Sequence, residues 1–133
     1  MPEQLTIALI DDDEIFQFTT TRIIQSTNLA RVTNQFYNGQ QALDFLAAHA
    51  GNENALPDIL FLDINMPVID GWMFLDEFRR LEPVLKKPIT IFMVSSSIAP
   101  EDINRARSNP LVVDYLLKPL SLDNFKKVFT PLN

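Results

Sequence analysis

Short continuous apolar runs alternate along this chain with longer stretches whose apolar residues recur every three or four positions. The first run, Leu5–Ile10, stops at Asp11, Asp12 and Asp13. After it, Phe16, Thr20, Ile23, Ile24 and Thr27 fall on one face of a predicted helix. Ala30–Phe36 reads as a half-polar strand, and Asn38-Gly39 marks a turn. A second helix is predicted over about 40–50, with Leu43, Leu46 and Ala50 inward, followed by a polar loop. The third strand covers 58–62 and ends on Asp63, after which Pro67 and Asp70-Gly71 are turn residues. Gly71 opens a third helix in which Phe74, Leu75, Phe78 and Leu81 share a face, and Pro83 and Pro88 bracket its exit. The fourth strand, 89–94, ends at Ser95-Ser96-Ser97. Pro100 suits the first turn of a fourth helix, with Ile103 and Ala106 its clearest apolar residues. The fifth strand, 111–117, ends at Lys118-Pro119. Ser121 is a candidate N-cap for a last helix that buries Leu122, Phe125, Val128 and Phe129.

Strand and helix thus alternate five times. The first, third, fourth and fifth strands are nearly continuous apolar runs, as parallel strands covered on both faces by helices are. Right-handed crossovers leave few arrangements. The natural one is an α/β fold, a (βα)5 doubly wound parallel sheet of order 2-1-3-4-5, with the half-polar second strand at an edge.

In such a sheet, sites form beyond the carboxyl ends of the strands, near the point where the strand order reverses. Those ends carry Asp11, Asp12 and Asp13 on the first strand, Asp63 on the third, Ser95 on the fourth and Lys118 on the fifth. These four strands are neighbours in the expected order, and the edge strand offers nothing comparable. Clustered carboxylates raise one another's pKa. A hard divalent cation relieves the repulsion, and Mg²⁺ takes one or two carboxylates together with waters and phosphate oxygens. The chain has no Cys and a single His, His49, so disulfides are excluded and Zn²⁺ fits poorly. A carboxylate can also attack phosphorus and form an aspartyl-phosphate. The transferring group then needs positive charge and donors, which the cation, Lys118 and Ser95 would supply.

The segments LIDDDE, DILFLDINMPVIDG, MVSSS and YLLKP, in this order and spacing, resemble the receiver domain of two-component response regulators, from Leu5 to Phe129. The resemblance implies a CheY-like (flavodoxin-like) fold with Asp63 as phospho-acceptor. It implies that Asp12 binds the metal directly, that Asp11 acts through water, and that Asn65 lends a backbone carbonyl. Lys118 would be the lysine of the site, Ser95 the switch hydroxyl and Tyr115 the switch aromatic. Lys118-Pro119 resembles the family's cis peptide. The implied cofactor is Mg²⁺ or Mn²⁺, and the implied donor is a sensor histidine kinase or histidine phosphotransfer protein. Output would run through the face of the fourth helix, fifth strand and fifth helix to a protein target, or onward along a phosphorelay. The chain would be a monomer or a phosphorylation-dependent dimer. It would be no enzyme beyond its own phosphorylation and dephosphorylation. Residues 1–133 are expected to form one receiver domain, core about 5–129, without an output domain. Three features depart from the family's pattern: serine rather than threonine at Ser95, a longer loop over 50–57, and Val112, Val113 and Asp114 where small residues are usual.

Local readings compete at several positions. Asp11 to Asp13 could be a turn and helix cap, Ser96 or Ser97 could sit near the cap of the next helix, and Tyr115 could be sheet filling. His49 is expected at the surface. The net charge of −6, from 11 basic and 17 acidic residues, disfavours direct nucleic-acid binding. No apolar stretch approaches the roughly 20 residues a membrane helix needs, and MPEQLTIALIDDD lacks the basic start of a secretory leader. A cytoplasmic protein is expected. A different class, a small phosphatase of the haloacid dehalogenase type, also uses an aspartate nucleophile with Mg²⁺. Its D-x-D, however, follows the first strand, whereas Asp63-Ile64-Asn65 follows the third. A flavodoxin-like electron carrier is opposed by the acids standing where a flavin phosphate would lie.

Overall fold

The alternating pattern becomes five parallel strands and five α-helices in a computed structural model that describes residues 4–132. The outermost residues of the expected domain, 1–3 and 133, lie outside the described residues. In chain order the elements are β1 (Leu5–Ile10), α1 (Glu14–Ser26), β2 (Ala30–Phe36), α2 (Gly39–Ala48) and β3 (Ile59–Asp63). Then follow α3 (Gly71–Leu81), β4 (Thr90–Ser95), α4 (Pro100–Arg107), β5 (Val112–Leu117) and α5 (Leu122–Phe129). The sheet order is β2-β1-β3-β4-β5, as predicted. Among the described residues no helix is long and apolar enough to cross a membrane.

The central strands send alternate side chains to opposite faces. Ala8, Ile10, Leu60 and Leu62 join residues of α2, α3 and α4 on one side. Ile7, Leu9, Ile59 and Phe61 meet Ile24 of α1 and Phe125 and Phe129 of α5 on the other. Phe61 lies edge-on to Phe125 and Phe129, with ring centroids 5.5 and 6.2 Å away. Such burial, at about 25 cal/mol per Å² of apolar surface, is the main force holding β1 and β3 at the centre.

Side chains fix most helix starts. Asp13, Asn38, Asp70 and Ser121 each accept a backbone N–H of the first turn of α1, α2, α3 and α5. The helix α4 begins instead with Pro100 after Ala99, which has no side-chain cap bond.

Several expectations need correction. β5 is not buried on both faces: it is the sheet's other edge, and Val113, Asp114 and Leu117 are exposed. Leu122, at the first turn of α5, is exposed rather than buried. α2 stops at Ala48, so Ala50 lies beyond it, and His49 is half-buried with its ring 4.4 Å from that of Phe45. Asp58 precedes β3. Its carboxylate accepts the Thr6 N–H at 2.8 Å and pairs with Lys87 at 2.7 Å, which ties the long loop to β1 and to the entry of β4.

Gly71 is required by close approach rather than by backbone freedom. A Cβ there would lie 2.8 Å from the Asp63 carbonyl oxygen and 2.9 Å from Ile64 Cα. The Gly71 N–H donates to the Ile64 carbonyl at 2.8 Å, closing the turn between β3 and α3. Within that turn Val68 has φ 68°, an uncommon and strained setting for a β-branched residue.

Candidate functional site

Strand register brings the predicted polar residues to one end of the sheet. Ile10 of β1 is level with Leu62 of β3, so Asp11 is level with Asp63. Asp63 pairs with Val94 and Ser95 with Leu117, so Ser95 and Lys118 each lie one step further out. The Lys118-Pro119 peptide is cis.

The run of three acids serves two purposes. Asp13 is the N-cap of α1, its carboxylate accepting the N–H of Ile15 at 2.9 Å and of Phe16 at 3.1 Å. Asp11 turns inward and is buried; its Oδ1 accepts the Asp13 N–H at 2.9 Å. The buried Gln17 amide, which apolar spacing could not single out, donates to the carbonyls of Leu9, Asp11 and Phe36 at 3.3, 3.2 and 2.9 Å. It knits the ends of β1 and β2 together beneath Asp11. The cap reading of the triplet therefore holds for Asp13, while Asp11 turns away from the helix start.

Carboxylate oxygens of Asp11, Asp12 and Asp63 lie within 4.8 Å of one another. Asp12 is exposed and Asp63 only 5% so. Lys118 Nζ lies 2.7 Å from Asp11 Oδ2 and 3.5 Å from Asp63 Oδ1. Burial pushes the Asp63 carboxyl up to about 6, with the charge of Asp11 adding to the rise. Lys118 and the Asn65 N–H oppose it. Burial also works against the Lys118 ammonium, but its bond to Asp11 and the charges of Asp63 and Asp11 outweigh this and raise its pKa. Three carboxylates facing one ammonium leave excess negative charge. An all-oxygen donor set of this kind, with neither Cys nor His, suits a hard divalent cation.

The remaining predicted residues form the rim. Asn65 is exposed on the β3–α3 turn, where its N–H faces the Asp63 carboxylate. Ser95 is buried, and its Oγ accepts the Ser97 N–H at 3.0 Å. Tyr115 already lies inside, its hydroxyl donating to the Ser97 carbonyl at 2.8 Å. The Ser97 hydroxyl in turn donates to Asp102 of α4 at 2.7 Å and accepts the Ala99 N–H at 3.2 Å. Ser97 is thus the serine near the α4 cap, and it joins Ser95, Tyr115 and α4 through one residue.

Residues 7–130 match the response regulator receiver domain family. This chain belongs to that family. The receiver domain is 31% identical over 121 residues to a protein named probable methanogenesis regulatory protein FilR2 of Methanothrix harundinacea, covering 91% of this chain and 76% of that protein. It is 29% identical to a protein-glutamate methylesterase/protein-glutamine glutaminase of Paramagnetospirillum magneticum, of whose length it spans only 29%. Its fold superposes on the crystal structure of a two component response regulator from Cytophaga hutchinsonii with a TM-score of 0.86, at 29% identity and 98% coverage of both chains. The receiver domain is accordingly a component of two-component signalling, and the phosphatase and electron-carrier alternatives fall away.

Proposed function

We propose that this receiver domain carries a phosphoryl group on Asp63. The observation behind the proposal is the meeting of three carboxylates and one ammonium at the ends of adjacent strands, with Asp63 nearly buried at the centre. The donor is the phosphohistidine of a sensor histidine kinase or of a histidine phosphotransfer protein. A carboxylate oxygen of Asp63 attacks phosphorus, the P–N bond breaks, and the imidazole leaves with the electron pair and takes up a proton. Mg²⁺ or Mn²⁺, when bound, would neutralise charge on the carboxylates and the phosphoryl oxygens. Asp12, Asp63 and the Asn65 carbonyl would hold it. Asp11 would act through water, since its oxygens already face Lys118 and the Asp13 N–H.

Lys118, 3.5 Å from Asp63, is placed to follow the negative charge from carboxylate to phosphoryl oxygen. The dianion also draws the Ser95 hydroxyl from the Ser97 N–H, which re-forms the β4–α4 loop around the inward Tyr115. The face of α4, β5 and α5 then meets a protein target, or the phosphoryl group passes onward in a relay. Hydrolysis of the acyl phosphate resets the domain, whose catalysis is limited to its own phosphorylation and dephosphorylation. It works as a monomer or as a phosphorylation-dependent dimer. A cytoplasmic setting suits the Cys-free sequence and its donor.

Intact mass after incubation with acetyl phosphate, with and without Mg²⁺, tests this for the native chain and Asp63→Asn. The expected result is a Mg²⁺-dependent gain of one phosphoryl group that the variant lacks. No gain under either condition refutes the acceptor role, and steady consumption of donor without any adduct would make the chain a hydrolase instead.

A further inference from the structure

We propose that Phe16 is a positioning residue for Lys118, its ring holding the ammonium toward the phosphoryl oxygens that arrive at Asp63. This inference rests on the reading of Asp63 as acceptor. Lys118 ends in an ammonium on a flexible four-carbon stem, so the stem alone does not fix where its charge lies. Three neighbours do. Asp11 Oδ2 is 2.7 Å away, Asp63 Oδ1 is 3.5 Å away, and the Phe16 ring centroid is 4.3 Å away. The distance to the ring is well inside the roughly 6 Å over which an aromatic face attracts a cation.

The chemistry of the third neighbour matters. A carboxylate or carbonyl in that place would take a hydrogen bond and compete with phosphoryl oxygens for the lysine. An aliphatic side chain would fill the space without attracting the charge. A ring face attracts the cation through its quadrupole and offers no lone pair, so the ammonium is held yet keeps its donors for the incoming group.

The ring is itself held from both ends. Its backbone N–H donates to Asp13 Oδ1 at 3.1 Å, so the helix cap fixes its position on the first turn of α1. Its partly buried side chain packs on the apolar cluster beneath α1 and α5. Two other cation–ring contacts, Arg22 over Phe18 at 5.5 Å and Arg105 over Trp72 at 4.4 Å, involve exposed arginines. The Lys118 side chain is only 20% exposed, where less water competes and the attraction is stronger.

The test replaces Phe16 in the full chain with mono-, di- and trifluorinated phenylalanine, and separately with Leu and Tyr. The rate constant of Asp63 phosphorylation by acetyl phosphate with Mg²⁺ is measured for each, beside Mg²⁺ affinity and thermal melting. The ring shape barely changes across the fluorinated series while its quadrupole weakens. The rate is expected to fall stepwise with fluorine number, by roughly 3- to 30-fold in all. Phe16→Leu should match the slow end and Phe16→Tyr should recover the native rate, with melting and Mg²⁺ affinity little changed. A native chain that is phosphorylated at a rate indifferent to fluorination overturns the positioning role alone. A native chain that takes up no phosphoryl group overturns the acceptor reading and the positioning role together.

Discussion

Replacing Gly71 with alanine sets two physical effects against each other. Intrinsic helix propensity favours Ala over Gly by up to about 1 kcal/mol, and the entropy that Ala removes from the unfolded chain is part of that same gain. Gly71 has no positive φ to oppose the change. On those grounds alone, Gly71→Ala should stabilise the protein. The packing says otherwise. The added methyl would lie 2.8 Å from the Asp63 carbonyl oxygen, 2.9 Å from Ile64 Cα and 3.0 Å from Met93 Cε. Carbon atoms in good contact sit about 3.5–4.0 Å apart, so the shortfall is at least about half an ångström. Met93 ends in a flexible thioether and can yield, but the other two atoms are backbone, one of them belonging to Asp63. Overpacking of this kind costs about 1–3 kcal/mol, which offsets the propensity gain and leaves a net loss of about 0–2 kcal/mol. The larger effect falls on the chemistry. A misplacement of about 1 Å can cost about 10²-fold in rate, so half of that should slow Asp63 phosphorylation by about 10-fold. Urea unfolding and the acetyl phosphate rate, measured on one preparation, read both effects. A variant more stable than native by the propensity gain and phosphorylated at the native rate would refute the reasoning.

Two further outcomes are expected. Folded Asp63 keeps its proton up to about pH 6, whereas the unfolded chain loses it near the ordinary 3.8. The stability it contributes is therefore complete below 3.8 and is lost as pH rises through about 6. In EDTA, Asp63→Asn should be more stable than native at pH 8 by up to about 3 kcal/mol, from roughly two pH units at about 1.4 kcal/mol each. Melting curves at several pH values should show that advantage vanish by about pH 4; a constant difference would sink the idea. Asp12 and Asp13 should separate cleanly as well. Asp13→Ala removes a helix cap and should cost about 1 kcal/mol in urea unfolding with Mg²⁺ binding largely kept. Asp12→Ala should weaken Mg²⁺ binding in titration calorimetry and leave stability nearly unchanged. Identical behaviour of the two variants would undo the division of labour in the acidic triplet.

Strand-to-helix alternation was legible because each element obeys its own period, and the half-polar Ala30–Phe36 correctly announced an edge. The expected strand order put β5 at the other edge, but its burial was overestimated. Leu111 to Leu117 is apolar in composition, yet Val113 and Leu117 point to solvent, because apolar content does not reveal how far the helices cover an edge strand. Gln17 illustrates the opposite error: a polar side chain is buried because three carbonyls converge on its amide, a long-range arrangement that helical spacing cannot encode. The acids and the lysine of the site could be read because β-strand register aligns strand ends in a predictable way. Phe16 could not, since its contact with Lys118 joins residues at opposite ends of the chain across a helix and a strand end.

The residue that joins Ser95, Tyr115 and α4 has a thermodynamic consequence. Ser97 shares its N–H, carbonyl and hydroxyl among groups on the inner and outer sides of the domain. An occupant at Asp63 that favours one arrangement of this residue and a partner on the outer face that favours the same one are then linked by a single coupling free energy. Whatever factor the occupant adds to the partner's affinity, the partner must return to the occupant. A partner of that kind would therefore tighten the very site whose occupancy it reads. A divalent-cation titration, repeated with that partner bound, would measure the same number from the other side.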